Sequence, residues 1–291
     1  MSKGLVGKMK ELDFPKEIML EVTNWCNCRC FFCGSTNSKR ERGYIDEKIA
    51  VRIIEEAYSY GARKISFHGM GEPFLCEKLA DYVFLAKKLG YTYIYLDTNG
   101  IMAVPEVANK VLDAGLDSLK FSIHAATAET HRKIVGVDGF DKMLNNLKNI
   151  HNYIDSNKLS CKLIAYQAVS TLNQHEVESF RAMVEPLVDE VWIKPIHNGS
   201  GVKLENKAYA VEGQAMKRVL PCQELYQRMI INWKGETIAC STDWTGALVY
   251  GDAKQEDLKV LWNNEKIWLL RNKHESWHTL PGICEQCMTT I

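Results

Sequence analysis

The chain reads as an α/β protein: a partial (β/α)6 barrel followed by a small C-terminal unit. Three observations predict this. Six strand-like segments alternate with helical ones up to residue 196, an order that demands parallel pairing with right-handed crossovers. Each strand carries one apolar row and one polar row. The cysteines fall into two groups, one directly after the first strand and one in the last quarter of the chain.

The elements follow in order. Ile18, Leu20 and Val22 alternate with Met19, Glu21 and Thr23, a strand ending just before the first cysteines. Asp46 to Tyr60 carries Ile49, Ile53, Ile54 and Ala57 at helical spacing, and Gly61 can cap its end. Lys64 to Gly69 is the second strand, and Glu77 to Leu89 a helix stopped by Gly90. Tyr91 to Thr98 is the third strand, and Pro105 to Ala114 a helix with proline in its first turn. Ser118 to His124 is the fourth, and the next helix carries Met143, Leu147, Ile150 and Ile154 on one face. Cys161 to Ser170, a helix over Glu176 to Leu187, and Glu190 to Ile196 complete the series. Six units fall short of the eight of a closed barrel, so an open α/β sheet is the alternative. Residues 1–196 would form the barrel, 197–220 a linker and 221–291 the C-terminal unit. In that unit Arg228 to Trp233 and Glu236 to Ala239 make a hairpin turning at Lys234-Gly235. Gly251-Asp252 follows, then a helix with Leu258, Leu261 and Trp262.

Strand alternation says what lies inside. Ile18, Leu20, Val22, Ile65, Phe67, Leu119, Phe121 and Ile123 would face the helices. Glu21, Ser66, His68, Asp97, Asn99, Ser122, His124, Gln167 and Lys194 would then point inward. A solid barrel core is lined with Val, Ile and Leu, and unpaired buried polar groups are costly, so this lining is expected to surround a ligand cavity. The plainer reading is a helix-covered sheet with polar residues at its strand ends. Loops after parallel strands converge on one face. There the chain places the first cysteines, Met70-Gly71-Glu72-Pro73, Thr98-Asn99-Gly100 and His197-Asn198-Gly199.

Bulk composition narrows the function. The 36 Lys and Arg balance 36 Asp and Glu, so charge gives no reason to expect a nucleic-acid or anionic-membrane partner. No apolar run approaches the roughly 20 residues of a membrane span, and the first 16 residues lack the apolar block of a secretory signal. A cytoplasmic protein is expected, in which 10 cysteines do not make a disulfide framework. Cys76 and Cys161 stand alone and read as small buried hydrophobes. The grouped thiols read as metal ligands.

Cys26, Cys30 and Cys33 form Cys-x3-Cys-x2-Cys, with Phe32 immediately before the last. Three thiolates hold three irons of a [4Fe–4S] cluster and leave the fourth open. With Gly71-Glu72-Pro73 after the second strand, this resembles the radical S-adenosylmethionine (radical SAM) superfamily. A zinc site that also uses the surplus Cys28 is the alternative. The resemblance implies that SAM chelates the open iron and that the Met70-Gly71-Glu72-Pro73 backbone holds its amino group. Met70 stands where the family has a glycine. Phe32 would pack near the adenine, and Asn99 and Ser122 would contact the ribose or carboxylate. Cys222, with Gly235 and Cys240 in a Cys-x12-Gly-x4-Cys element, and Cys284-Glu285-Gln286-Cys287 resemble the superfamily's SPASM/twitch extensions. Four cysteines imply the short twitch form with one auxiliary [4Fe–4S] cluster, or a structural zinc.

The resemblance further implies an external reductant, a reduced flavodoxin or ferredoxin, and cleavage of SAM to a radical that takes hydrogen from a small-molecule substrate. Ser66-Phe67-His68 before Gly-Glu-Pro, and the compact plan, resemble the cyclitol dehydrogenases of aminoglycoside biosynthesis. A sugar, cyclitol or aminoglycoside oxidised from alcohol to ketone is therefore expected. The alternatives are an epimerase, a peptide maturase, and a non-catalytic iron–sulfur or zinc electron carrier. His68, Lys194 and His197 are the candidate catalytic groups.

Overall fold

The computed structural model describes residues 11–196, 208–212, 221–276 and 280–288. The barrel elements are β1 (Glu17–Leu20), α1 (Glu47–Ser59), β2 (Lys64–Ser66), α2 (Leu79–Leu89), β3 (Tyr93–Thr98) and α3 (Pro105–Asp113). They continue with β4 (Ser118–Ser122), α4 (Ala128–Val135), α5 (Phe140–Asn157), β5 (Lys162–Val169), α6 (Val177–Val184) and β6 (Glu190–Pro195). The C-terminal elements are α7 (Glu224–Gln227), β7 (Arg228–Ile231), β8 (Glu236–Ile238), β9 (Val249–Asp252), α8 (Leu258–Trp262), α9 (Glu265–Ser276) and α10 (Gly282–Met288).

Local chemistry sets the boundaries. Asp46 caps α1 by accepting from the Lys48 and Ile49 amides. Gly90 ends α2 in the left-handed region at φ 104°. The second strand stops at Ser66, short of Gly69, because the backbone then leaves the ladder: the Met70 amide donates to Glu21 and the Glu72 amide to the Trp25 carbonyl.

One sheet carries every strand, in the order β6-β5-β4-β3-β2-β1-β7-β8-β9. The first six run parallel, as the alternation predicts. A finding beyond that expectation is that β7 pairs with β1, also in parallel, from Glu17↔Arg228 to Leu20↔Ile231. β8 and β9 then add antiparallel.

The large core lies between sheet and helices, where Ile18, Leu20, Ile65, Phe67, Leu119 and Phe121 are fully buried. A small second cluster of Met19, Ile230 and Ile238 occupies the other face of β1, β7 and β8. Among the described residues no helix is long and apolar enough to cross a membrane.

Candidate active site

The first cysteine group occupies the connection from β1 to α1, whose ends are zipped together. Asn24 donates to the Glu41 carbonyl and accepts from the Gly43 amide, and Arg42 reaches the Asn24 carbonyl and the Ser35 hydroxyl. The Arg29 and Phe31 amides donate to the Val135 and Ile134 carbonyls, pinning the loop to the end of α4. Gly136 lies in the left-handed region at φ 76°, and a Cβ there would sit 2.7 Å from the Arg29 carbonyl oxygen.

The three expected ligands feel one another. Burial, then Cys33 and Cys26, push the Cys30 thiol well above its ordinary range. The Cys28 amide donates to the Cys26 sulfur at 3.4 Å, and the neighbouring Cys28, against burial, lowers the Cys26 thiol to about 7.

The Met70–Pro73 motif lies against this loop. A Cβ on Gly71 would meet the Thr23 carbonyl oxygen at 2.3 Å and that of Trp25 at 2.6 Å, so only glycine fits. Glu72 is buried and accepts from the Thr98 hydroxyl (2.7 Å), the Asn99 amide (2.8 Å) and the Phe74 amide (3.2 Å), tying the motif to the end of β3. Burial raises it to about 7 against those bonds. The Asn99 side chain donates to Asn27 and lies 3.9 Å from the Cys26 sulfur. Phe32 meets the His124 ring at a 5.0 Å centroid distance. His124 itself has φ 65°, rare for a residue with a side chain. It is held there by the Ala168 amide on Nδ1 and Asn173 on its carbonyl.

Below this layer the lumen is charged, as alternation predicts. His68 Nε2 lies 3.7 Å from Asp97, which takes Lys120 at 2.7 Å. Burial holds His68 below its ordinary pKa although Asp97 opposes it, so the imidazole is neutral near pH 7. Burial pushes Asp97 up, but His68 and Lys120 outweigh it and hold it below the usual carboxylate range. Lys120 sits 5.3 Å from the Tyr166 ring and 5.5 Å from that of Trp192, and Lys194 is 4.9 Å from Trp192.

One inward assignment is corrected. Lys120 pairs with Ile164 and Ser122 with Tyr166, so the inward row of β5 is Ile164, Tyr166 and Ala168. Gln167 is buried on the helix side with no hydrogen-bond partner. Lys120, Tyr166 and Trp192 were legible in the same alternation but not singled out. His197 and most of the expected linker lie outside the described residues.

Cys222, Cys240, Cys284 and Cys287 also converge. Burial, then Cys240, Cys222 and Cys287, push Cys284 up to about 12. Asp243, which the sequence reading missed, organises the loop after Cys240. Its carboxylate accepts from the Thr245, Gly246, Ala247 and Leu248 amides and the Thr245 hydroxyl. The same loop carries Trp244, whose ring covers Gly34, while its carbonyl accepts from Ser38. The two cysteine loops are therefore packed on each other.

Both donor sets fit iron–sulfur clusters. Each is made of thiols near enough to raise one another's pKa.

Residues 20–176 match the family model described as Radical SAM superfamily, and residues 222–288 match the SPASM model, an iron-sulfur cluster-binding domain. A relative named "Probable GTP 3',8-cyclase" from Saccharolobus islandicus is 30% identical over 62% of this chain, which spans 57% of that relative's length. Among solved structures, BtrN in complex with AdoMet and 2-DOIA is 17% identical, covering 94% of this chain and 92% of its own, at TM-score 0.62. Streptococcus suis SuiB bound to precursor peptide SuiA is 15% identical over 89% of this chain and 67% of its own, at TM-score 0.68. At these identities the structural likenesses speak for the fold.

Proposed function

The chain belongs to the radical SAM superfamily and carries a SPASM iron–sulfur domain, and on that premise we propose that it oxidises an alcohol of a small polar ring, a sugar, cyclitol or aminoglycoside, to a ketone. A reduced flavodoxin or ferredoxin is the proposed reductant. Cys26, Cys30 and Cys33 would hold the first cluster, and Cys222, Cys240, Cys284 and Cys287 the auxiliary one. When bound, the first cluster with SAM supplies abstraction of a hydrogen atom, and the auxiliary cluster an acceptor for one electron.

The rest of the chemistry belongs to side chains. The observation that carries the reading is the His68–Asp97–Lys120 row directly below the SAM motif. Neutral His68 is an acceptor for the hydroxyl proton, and Asp97 stabilises the imidazolium that results. Lys194 stands on the same inward row as Trp192 and offers a donor to a substrate oxygen. Glu72 holds no reacting proton; it fixes the motif to β3.

Spare thiols bear on the alternative of epimerisation, which needs a hydrogen donor on the opposite face of the ring. Cys76 is buried after the motif, Cys161 is buried beside the amino end of β5, and Cys28 is buried within the cluster loop. These placements support oxidation.

A nucleotide substrate is the second reading, favoured by the relative named for GTP. Anaerobically reconstituted enzyme, incubated with SAM in deuterated water against cyclitols, aminosugars, GTP and a short peptide, separates these readings. The expected product is a cyclitol or sugar two hydrogens lighter. A product of unchanged composition carrying one deuterium at an inverted carbon would establish the epimerase instead.

A further inference from the structure

Two guanidinium groups reach into the loop that carries Cys26, Cys30 and Cys33, and they are matched differently. Arg40 meets the Glu21 carboxylate at 3.1 Å. Arg42 donates instead to the Asn24 carbonyl, the Ser35 carbonyl and, at 2.9 Å, the Ser35 hydroxyl. All three of these acceptors are neutral. The acids nearest in the structure are engaged elsewhere. Glu21 takes Arg40, Glu41 takes Lys234 at 2.8 Å, and Glu72 takes Thr98, Asn99 and Phe74. Among the described residues Arg42 is therefore a half-buried cation held by dipoles, without a carboxylate. A charge drawn out of water is costly unless an opposite charge lies close by.

We propose that Arg42 is the charge partner of the first iron–sulfur cluster and raises its reduction potential. The proposal rests on the assignment of that cluster to Cys26, Cys30 and Cys33.

Position is the first argument. Asn24 lies two residues before Cys26 and Ser35 two after Cys33, so the guanidinium closes the neck of the ligand loop. Its field reaches the ligands: after Cys28, and against burial, Arg42 helps to lower the Cys26 thiol. The Ser35 amide donates to the Cys33 sulfur at 3.4 Å. The side chain that holds Ser35 thus also steadies a hydrogen bond to a ligand.

Charge is the second. A [4Fe–4S] cluster with three thiolates is negative, and gaining one electron makes it more so. A fixed cation beside it stabilises the reduced form over the oxidised one, and net charge is one of the quantities that set such potentials. Arginine does not shed its proton in a protein, so this charge is permanent.

The third is shielding. Gly43, next to Arg42, lies against the Trp233 ring, where a Cβ would come within 2.4 Å of the indole. Gly34, between Cys33 and Ser35, is covered by the Trp244 ring. Two indoles of the SPASM domain therefore roof this strap, and charges sheltered from water interact more strongly.

The test poises the anaerobically reconstituted full chain at a series of potentials with dithionite and mediators, and reads each sample by EPR. The first cluster's signal is the one that changes when SAM is added, and the auxiliary signal is the internal reference. At the wild-type midpoint, Arg42→Gln should lower the first cluster's ratio of reduced to oxidised form by about threefold or more. Arg42→Lys, which keeps the charge, should stay near the wild-type ratio, and the auxiliary ratio should not move in either variant. An unchanged ratio in Arg42→Gln would overturn the proposal. So would an equal fall in Arg42→Lys, which would make the residue a brace whose charge is immaterial, or an equal shift of both clusters. If Arg42→Gln does not keep its iron, Arg42→Lys decides: iron and potential retained there support the charge assignment, and iron lost in both overturns it. Wild-type protein with no SAM-responsive signal would remove the ligand assignment, and the proposal with it.

Discussion

Buried ionisable residues in this barrel divide into those the site uses and those the fold tolerates, and His131 belongs to the second kind. It is buried in α4 with both ring nitrogens unpartnered, 5.5 Å from the Phe140 ring. Burial lowers it to about 4. A histidine depressed in the folded state binds fewer protons than in the unfolded chain between pH 6.5 and 4, so stability falls as pH drops through that window. The slope is about 1.4 kcal/mol per pH unit at most. His131→Leu should therefore flatten the acid side of a plot of melting temperature against pH between 6.5 and 5.5, and a variant that keeps the full slope would assign it to another group. His124, lowered to about 3 by burial and then by His131, adds to the same limb. Gly71 was legible because its motif admits no Cβ, whereas the strained backbone of His124 has no sequence signature. Lys120 was legible by position, since it shares the row of Ser122.

Elements were legible where one face is uniformly apolar and obscure where it is not. α1 and α5 bury Ile53, Ile54, Leu147 and Ile150 at helical spacing; the bounds read for α1 hold to within a residue, and the apolar face read for α5 is the one it buries. α9 escaped notice because Arg271 and His274 share its buried face with Ile267 and Leu270, which hides the period. β9 is a short strand that contains Gly251. Gln167 was misplaced for a related reason: on β5 the polar side chain is outside while Ile164 and Ala168 are inside, so polarity alone gives the wrong parity. The loop from β8 to β9 shows how one residue can make an element. Asp243→Ala would leave five donors without their acceptor, each worth about 1 kcal/mol or more when buried. The expected result is loss of about half the iron after reconstitution, with the cluster of the first loop retained. Asp243→Asn, which keeps one acceptor oxygen, should recover part of it. Full iron content in Asp243→Ala, measured with the visible absorption spectrum, would show that the loop forms without this carboxylate.

At the scale of the whole molecule, the division into a barrel and an appended unit meets a sheet that does not stop between them. β1 is an interior strand, with β2 on one side and β7 on the other, and the Glu21 amide continues the pairing to the Ile231 carbonyl at 2.8 Å. Sequence pattern marks β7 as a strand but cannot name a partner more than 200 residues earlier, because alternation carries no information about neighbours. The packing follows the sheet. Met229, Ile231, Leu258, Leu261 and Trp262 lie in the same core as Ile18 and Leu20, and the Trp262 indole donates to the Asp13 carbonyl. Asp257, the cap of α8, is hydrogen-bonded by Tyr60, and the Leu258 amide donates to Glu56. Removing residues 221–291 would expose the edge of β1 and the inner faces of α1 and β1 together. Each large apolar side chain left without its partners costs about 1.5–3 kcal/mol, and several lost at once exceed the 5–15 kcal/mol by which a typical domain is stable. An open, apolar strand edge also invites aggregation. A protein ending at residue 196 is therefore expected to be insoluble or to melt without cooperativity, even with its first three cysteines intact. The check is expression of residues 1–196 beside the full chain, followed by size-exclusion chromatography and thermal melting. A soluble, monomeric, cooperatively melting fragment would show that the barrel is self-sufficient and that β7 merely docks on it.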